Sequence, residues 1–166
     1  MSEESKPKKS KATKVVSLND KYSELTAEFP TESIKPVPGA ANLTSIKPQY
    51  IIERLNEVVG LGNWQHGATL ANSAGYQEVD AGVFYFGTLH VRDGETFTQQ
   101  HSVGFCARHI DRAKKFEKNM GDMYKAAKTD SLSKAASLFG IGNSVFKGLV
   151  DAKPKSSVKS STGGDF

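Results

Sequence analysis

The apolar positions of the chain change spacing from segment to segment, and each spacing predicts an element. In "PQYIIERLNEVVGLG", Ile51, Ile52, Leu55, Val58 and Val59 recur at three and four residues. That predicts a helix from about Lys47-Pro48, with proline in its first turn and Gly60 or Gly62 at its end. Trp64, His66, Ala68 and Leu70 alternate, as in a strand. Residues 82–91, "GVFYFGTLHV", and 95–106, "ETFTQQHSVGFC", flank Asp93-Gly94, a hairpin signal. Helical spacing returns in "GDMYKAAKTDSLSKAASLFGIG". A long helix is expected from about 121 to 139, closed by Gly140, with a short helical piece in "NSVFKGLV".

With Asp93-Gly94 as the two turn residues, Phe84 should oppose Val103, Phe86 should oppose His101, and His90 should oppose Phe97. The same register sets Leu89 against Thr98 and Val91 against Thr96. One face then carries Phe84, Phe86, Phe97, Val103 and Phe105, and the other Val83, Tyr85, Leu89 and Val91. Both are partly apolar. Helices can cover one face of a small sheet. The other is covered either by the rest of this chain or by a neighbouring subunit.

On the long helix, Lys125, Lys128, Leu132, Ala135 and Phe139 share one stripe that starts basic and ends apolar. Lysines near a helix N-terminus oppose the macrodipole. Two readings remain open: a phosphate meets them, or their stems lie over the core with the ammonium groups in water.

Charge is unevenly distributed. Across 166 residues the net charge is +4, but residues 15–107 carry −5 and residues 108–150 carry +5. A neutral body with one basic third suggests a face for a polyanion. Residues 1–21 are expected to be a disordered basic tail and 151–166 a second one, around a body at 22–150 that begins with a proline-broken extended arm, 22–47. Leu25, Phe29, Ile34 and Val37 are candidates to pin that arm. One cysteine, Cys106, permits no internal disulfide, and no apolar run approaches the length of a membrane span. A soluble intracellular protein is expected.

Catalytic signatures are missing. Gly-Lys followed by Ser or Thr never occurs, and the four histidines have no metal-ligand spacing. No cofactor, metal or enzymatic activity is expected. The basic third supplies the candidate site instead: Arg108, Arg112, Lys114, Lys115 and Lys118, then Lys125, Lys128 and Lys134 on the long helix. Tyr50 and Arg54 of the first helix could add a stacking ring and a guanidinium. Each has a plainer alternative: Lys134 pairing with Asp130 four residues earlier, Arg54 pairing with Glu53 or Glu57, and Tyr50 packing into the core.

"FPTESIKPVPGA", "YIIERLNEVVGLGNWQH", the hairpin and "YKAAKTDSLSKAASLFGIG" together resemble the single-strand annealing proteins of the Rad-fifty-two type. The likeness is nearest to their phage and bacterial Sak-type recombinases and spans roughly residues 25–147. It implies an α+β fold: a helix, a three-stranded antiparallel sheet with a hairpin, and a long helix packed on the sheet. It further implies a homo-oligomeric ring of about ten or more subunits. Such a ring binds single-stranded DNA and anneals complementary strands without ATP in a bacterial cytoplasm. A cognate single-strand-binding protein or exonuclease is a candidate partner. Lys134 and Lys125 match basic positions of the family. Ser133 and Ser137 stand where neighbouring family positions are often basic, and Tyr50 where eukaryotic members have arginine. An alternative is a module that coats strands or ends without annealing them.

Overall fold

The computed structural model describes residues 17–37, 43–69, 74–108, 110–111, 116–117 and 119–150. A short helix, α1 (Tyr22–Leu25), and a single 3-10 turn at Thr31–Ser33 lead into a two-stranded ribbon, β1 (Ile34–Pro36) with β2 (Thr44–Ile46). Then come α2 (Pro48–Val58), β3 (Trp64–Ala68), β4 (Tyr76–Val79), and the hairpin of β5 (Gly82–Asp93) and β6 (Thr96–Ala107). The small strands β7 (Ile110–Asp111) and β8 (Phe116–Glu117) pair with each other before the long helix α3 (Met120–Leu138), and α4 (Asn143–Phe146) follows.

The main sheet is antiparallel and three rows wide. β5 pairs with β6 along its full length on one side. On its other side β3 and β4 lie end to end, β3 against Gly87–Val91 and β4 against Gly82–Tyr85. The strand β4 comes from a stretch that the sequence presents only as a glycine-containing connection.

α3 packs across one face of β5 and β6, where Val83, Tyr85, Leu89 and Val91 are buried. Contact is closest at Gly104 and Gly87, where the helix lies against strand positions without side chains. Two apolar clusters result. Near the C-terminal half of α3, Leu132 and Ala135 meet Ile51, Leu55, Leu89 and Val91. Near its N-terminal half, Met123 and Ala127 meet Val83, Tyr85 and Cys106. The basic-to-apolar stripe follows: its end is buried in the first cluster, whereas Lys125 and Lys128 lie beyond it and are exposed.

The hairpin register differs from expectation by two residues. Asp93 pairs with Thr96, so Gly94-Glu95 is the turn, with Gly94 at φ 65° in its first position. Phe84 therefore opposes Phe105, Phe86 opposes Val103, Leu89 opposes Gln100, His90 opposes Gln99 and Val91 opposes Thr98. Asp93 lies in the ladder, and its carboxylate accepts the backbone N–H of Leu18 at 2.8 Å. A two-residue shift preserves which side chains share a face. The face bearing Phe84, Phe86, Val103 and Phe105 is the one α3 leaves open. Phe86 is 40 % exposed, Phe97 54 %, Val103 43 % and Phe105 36 %.

Three further differences concern the flanks. The arm is not extended: it folds into α1, the 3-10 turn and the β1–β2 ribbon, with Leu25 and Ile34 buried and Phe29 against the core. The body starts before residue 22, since Leu18 packs on the core and the Lys21 ammonium donates to the Val58 carbonyl at the end of α2. The basic connection contains the paired strands β7 and β8, where the sequence suggested a loop or a short helix. Both tails expected to be disordered, apart from residues 17–21, lie outside the described residues.

Candidate nucleic-acid interface

The flank of α3 that faces the β1–β2 ribbon forms a cleft of about 260 Å³. Lys134, Asp130, Ser133 and Thr129 line it from the helix, Lys35 and Ser45 from the ribbon. Lys134 is positioned by two groups on two elements. Its ammonium lies 2.7 Å from Asp130 Oδ2 and donates to the Val103 carbonyl of β6 at 3.2 Å. The pair to Asp130 expected as the plain alternative therefore exists, inside the cleft. Ser133 donates to the Thr129 carbonyl, and Thr129 to the carbonyls of Lys125 and Ala126. These hydroxyls spend their protons on their own helix, so the cleft's cationic donors are Lys134 and Lys35.

Lys35 is the residue the sequence did not single out. It stands in a proline-broken stretch with no periodic signal. Only the pairing of β1 with β2 (Lys35 opposite Ser45) brings it to the cleft.

Lys125 and Lys128 are elsewhere. At about 100° per residue, Lys125 is about 180° from Lys134 around the helix and Lys128 about 120° from it. Lys125 is 83 % exposed and lies 3.9 Å from Asp122. That carboxylate, in the first turn of α3, and the Asn119 cap, which accepts from the Gly121 N–H at 2.8 Å, satisfy the helix N-terminus. The Lys128 ammonium lies 5.9 Å above the Tyr85 ring. Beside it, His66 meets the buried Ser131 hydroxyl at 3.2 Å and the Tyr85 ring at 5.7 Å. Burial, with the Lys128 charge, lowers the His66 pKa to about 4.

Arg54 is committed to the fold. Its guanidinium donates to the carbonyls of Glu24, Leu25, Ala27 and Glu28 at 2.7–3.3 Å and stacks 4.3 Å over Phe29. Burial lowers its pKa and the Glu57 charge acts against that shift. It therefore holds α1 and the following turn to α2, as the sequence reading of a DNA contact did not foresee. Tyr50 packs against the main cluster, its ring 6.0 Å from the Lys47 ammonium. Arg108 follows β6, its backbone N–H donating to the Ala81 carbonyl at 2.8 Å. Arg112, Lys114, Lys115 and Lys118 lie outside the described residues. Of the six expected site residues that are described, Lys134 alone lines the cleft.

Among the described residues no helix is long and apolar enough to cross a membrane. Residues 18–162 match the family model described as the Rad52/22 family double-strand break repair protein. No curated protein matches the chain.

Proposed function

The chain belongs to the Rad52/22 family of double-strand break repair proteins, whose general chemistry is single-strand annealing in recombination and repair, and from that premise we propose how this member works. It binds single-stranded DNA along the α3 cleft, with Lys134 and Lys35 on the phosphates, and anneals complementary strands without ATP. The match over residues 18–162 carries this reading. Phosphate contacts hold a strand whatever its sequence and leave the bases free to pair. Binding and alignment suffice for annealing, so the reading requires neither enzymatic turnover nor a cofactor. We take the member to be of the Sak type, phage- or bacterium-encoded and cytoplasmic, with a single-strand-binding protein or exonuclease as its candidate partner.

The subunits form a ring in this reading. The hairpin face that α3 leaves open supports that, because four large apolar side chains exposed there among the described residues are unusual for a monomer. Coating of strands or ends without annealing is the second reading, favoured by Ser133 and Ser137, whose hydroxyls donate to the carbonyls of Thr129 and Lys134 in their own helix.

The test mixes complementary oligonucleotides, one with a fluorophore and one with a quencher, at low salt without nucleotide. Annealing predicts faster quenching that saturates with protein. Binding without faster quenching selects the coating reading, and absence of both overturns the proposal.

A further inference from the structure

One carboxylate oxygen joins α3 to the open edge of the sheet. Asp130 Oδ2 accepts the backbone N–H of Phe105 at 2.9 Å and the Lys134 ammonium at 2.7 Å. The same ammonium donates to the carbonyl of Val103. The pair thus occupies a β6 donor and a β6 acceptor on the side away from β5, where another strand would otherwise add. An ammonium has three N–H donors. Two are spent on Asp130 and Val103, and the third is left for a ligand in the cleft. Lys134 therefore meets any phosphate as a cation already neutralised by its neighbour. Lys35, on the ribbon across the cleft, is the second cation.

We infer that Asp130 is a built-in counter-ion that sets how firmly the cleft holds a DNA phosphate. The inference rests on the single-stranded DNA reading. When a strand enters, its phosphate competes with the Asp130 carboxylate for Lys134, so binding gains only the difference between two ion pairs. When the strand leaves, the internal pair re-forms. Asp130 keeps the Phe105 N–H throughout, so its charge retains a donor. Annealing benefits from this moderation: a strand must be held long enough to meet its complement, and the duplex must then be released.

Asp130→Asn tests it, because the amide oxygen still accepts the Phe105 N–H while the charge is gone. The variant should bind a single-stranded oligonucleotide about two- to fivefold more tightly at low salt, the range of one exposed ion pair. Its log–log salt dependence should steepen by up to about 0.7, the share of one single-strand phosphate contact, since no carboxylate is left to recruit a cation. Duplex release should slow in step. Asp130→Asn combined with Lys134→Ala should bind no more tightly than Lys134→Ala alone. Unchanged or weaker binding by a folded Asp130→Asn protein overturns the inference, as does a gain that persists without Lys134. Should the asparagine variant not fold, Asp130→Ser gives the same two readouts. A wild-type protein whose binding is insensitive to salt overturns the DNA reading itself, and is thereby told apart from failure of the counter-ion alone.

Discussion

A Cβ placed on Gly104 would lie 1.9 Å from the Ala127 carbonyl oxygen. The helix α3 rests directly on the β6 backbone at that point, with Ser131 N 2.5 Å from the same position. Both neighbours are backbone in the middle of a 19-residue helix, so neither can move aside cheaply. Gly104→Ala should therefore cost about 3 kcal/mol, the upper end of overpacking penalties. Chemical denaturation of the variant beside wild type measures it.

Arg54→Ala should act on stability. Four carbonyls between Glu24 and Glu28 lose their donor, and Phe29 loses its stacked partner. A loss of about 2 kcal/mol is expected, in the range for hydrogen bonds made by a charged group. Proteolysis should then cut near residues 24–30 earlier than in wild type. The salt dependence of DNA binding by the folded fraction should stay at the wild-type value, which it would not if Arg54 met phosphate.

Much of this fold was legible because its signals are local. The spacing of Ile51, Leu55 and Val58 marks α2, and Gly94 and Gly140 mark a turn and a helix end through their positive φ. What stayed hidden depends on contacts far apart in sequence. The two-residue shift of the hairpin puts Asp93 in the ladder, where its carboxylate accepts the backbone N–H of Leu18, 75 residues away. Lys35 reaches the cleft only through the ribbon, and Arg54 looks like a surface cation until α1 folds against it. The periodicity that grouped Lys125 with Lys128 was sound. The same periodicity sets Lys134 on another flank, but it could not reveal that the cleft lies there, because that depends on where the sheet and ribbon dock.

Acid should weaken the protein through His66. Its folded pKa is about 4, lowered from 6.5 by burial and the Lys128 charge. The unfolded chain takes up the proton first, so this contribution is complete above about pH 6.5 and is lost as pH falls towards 4. The ring still touches water, which moderates the loss to about 1–2 kcal/mol. Melting curves at pH 7.5 and 4.5 should show that loss in wild type. His66→Gln, which can still bond Ser131 but does not titrate there, should show clearly less.

Salt titrations can locate the strand on α3. Lys134→Ala and Lys35→Ala should each weaken single-stranded DNA binding; Lys35→Ala should lower the log–log salt slope by about 0.7, one phosphate contact, and Lys134→Ala by less, because Asp130 already offsets part of its charge. Lys125 points away from the cleft, so Lys125→Ala should leave the slope near the wild-type value. An equal effect at Lys125 would mean that the strand crosses the helix N-terminus instead of following the cleft.

The open sheet face yields the last expectation. Phe84 stacks on Phe105 with ring centroids 4.6 Å apart, and Phe86 lies 6.4 Å from Phe84, so the aromatic patch is continuous on a face that α3 does not cover. Phe86 is partly exposed within one chain and contributes little to its core. Phe86→Asp should therefore change the unfolding free energy of a single subunit by no more than about 1 kcal/mol. If the patch joins subunits, the same change buries a charge in an apolar contact and should weaken association by 30-fold or more, the cost of losing an aromatic anchor. Light scattering across micromolar concentrations separates the two effects. A folded Phe86→Asp protein of unchanged mass would exclude this face from the assembly, whereas a folded monomer that still binds but no longer anneals would tie annealing to the oligomer.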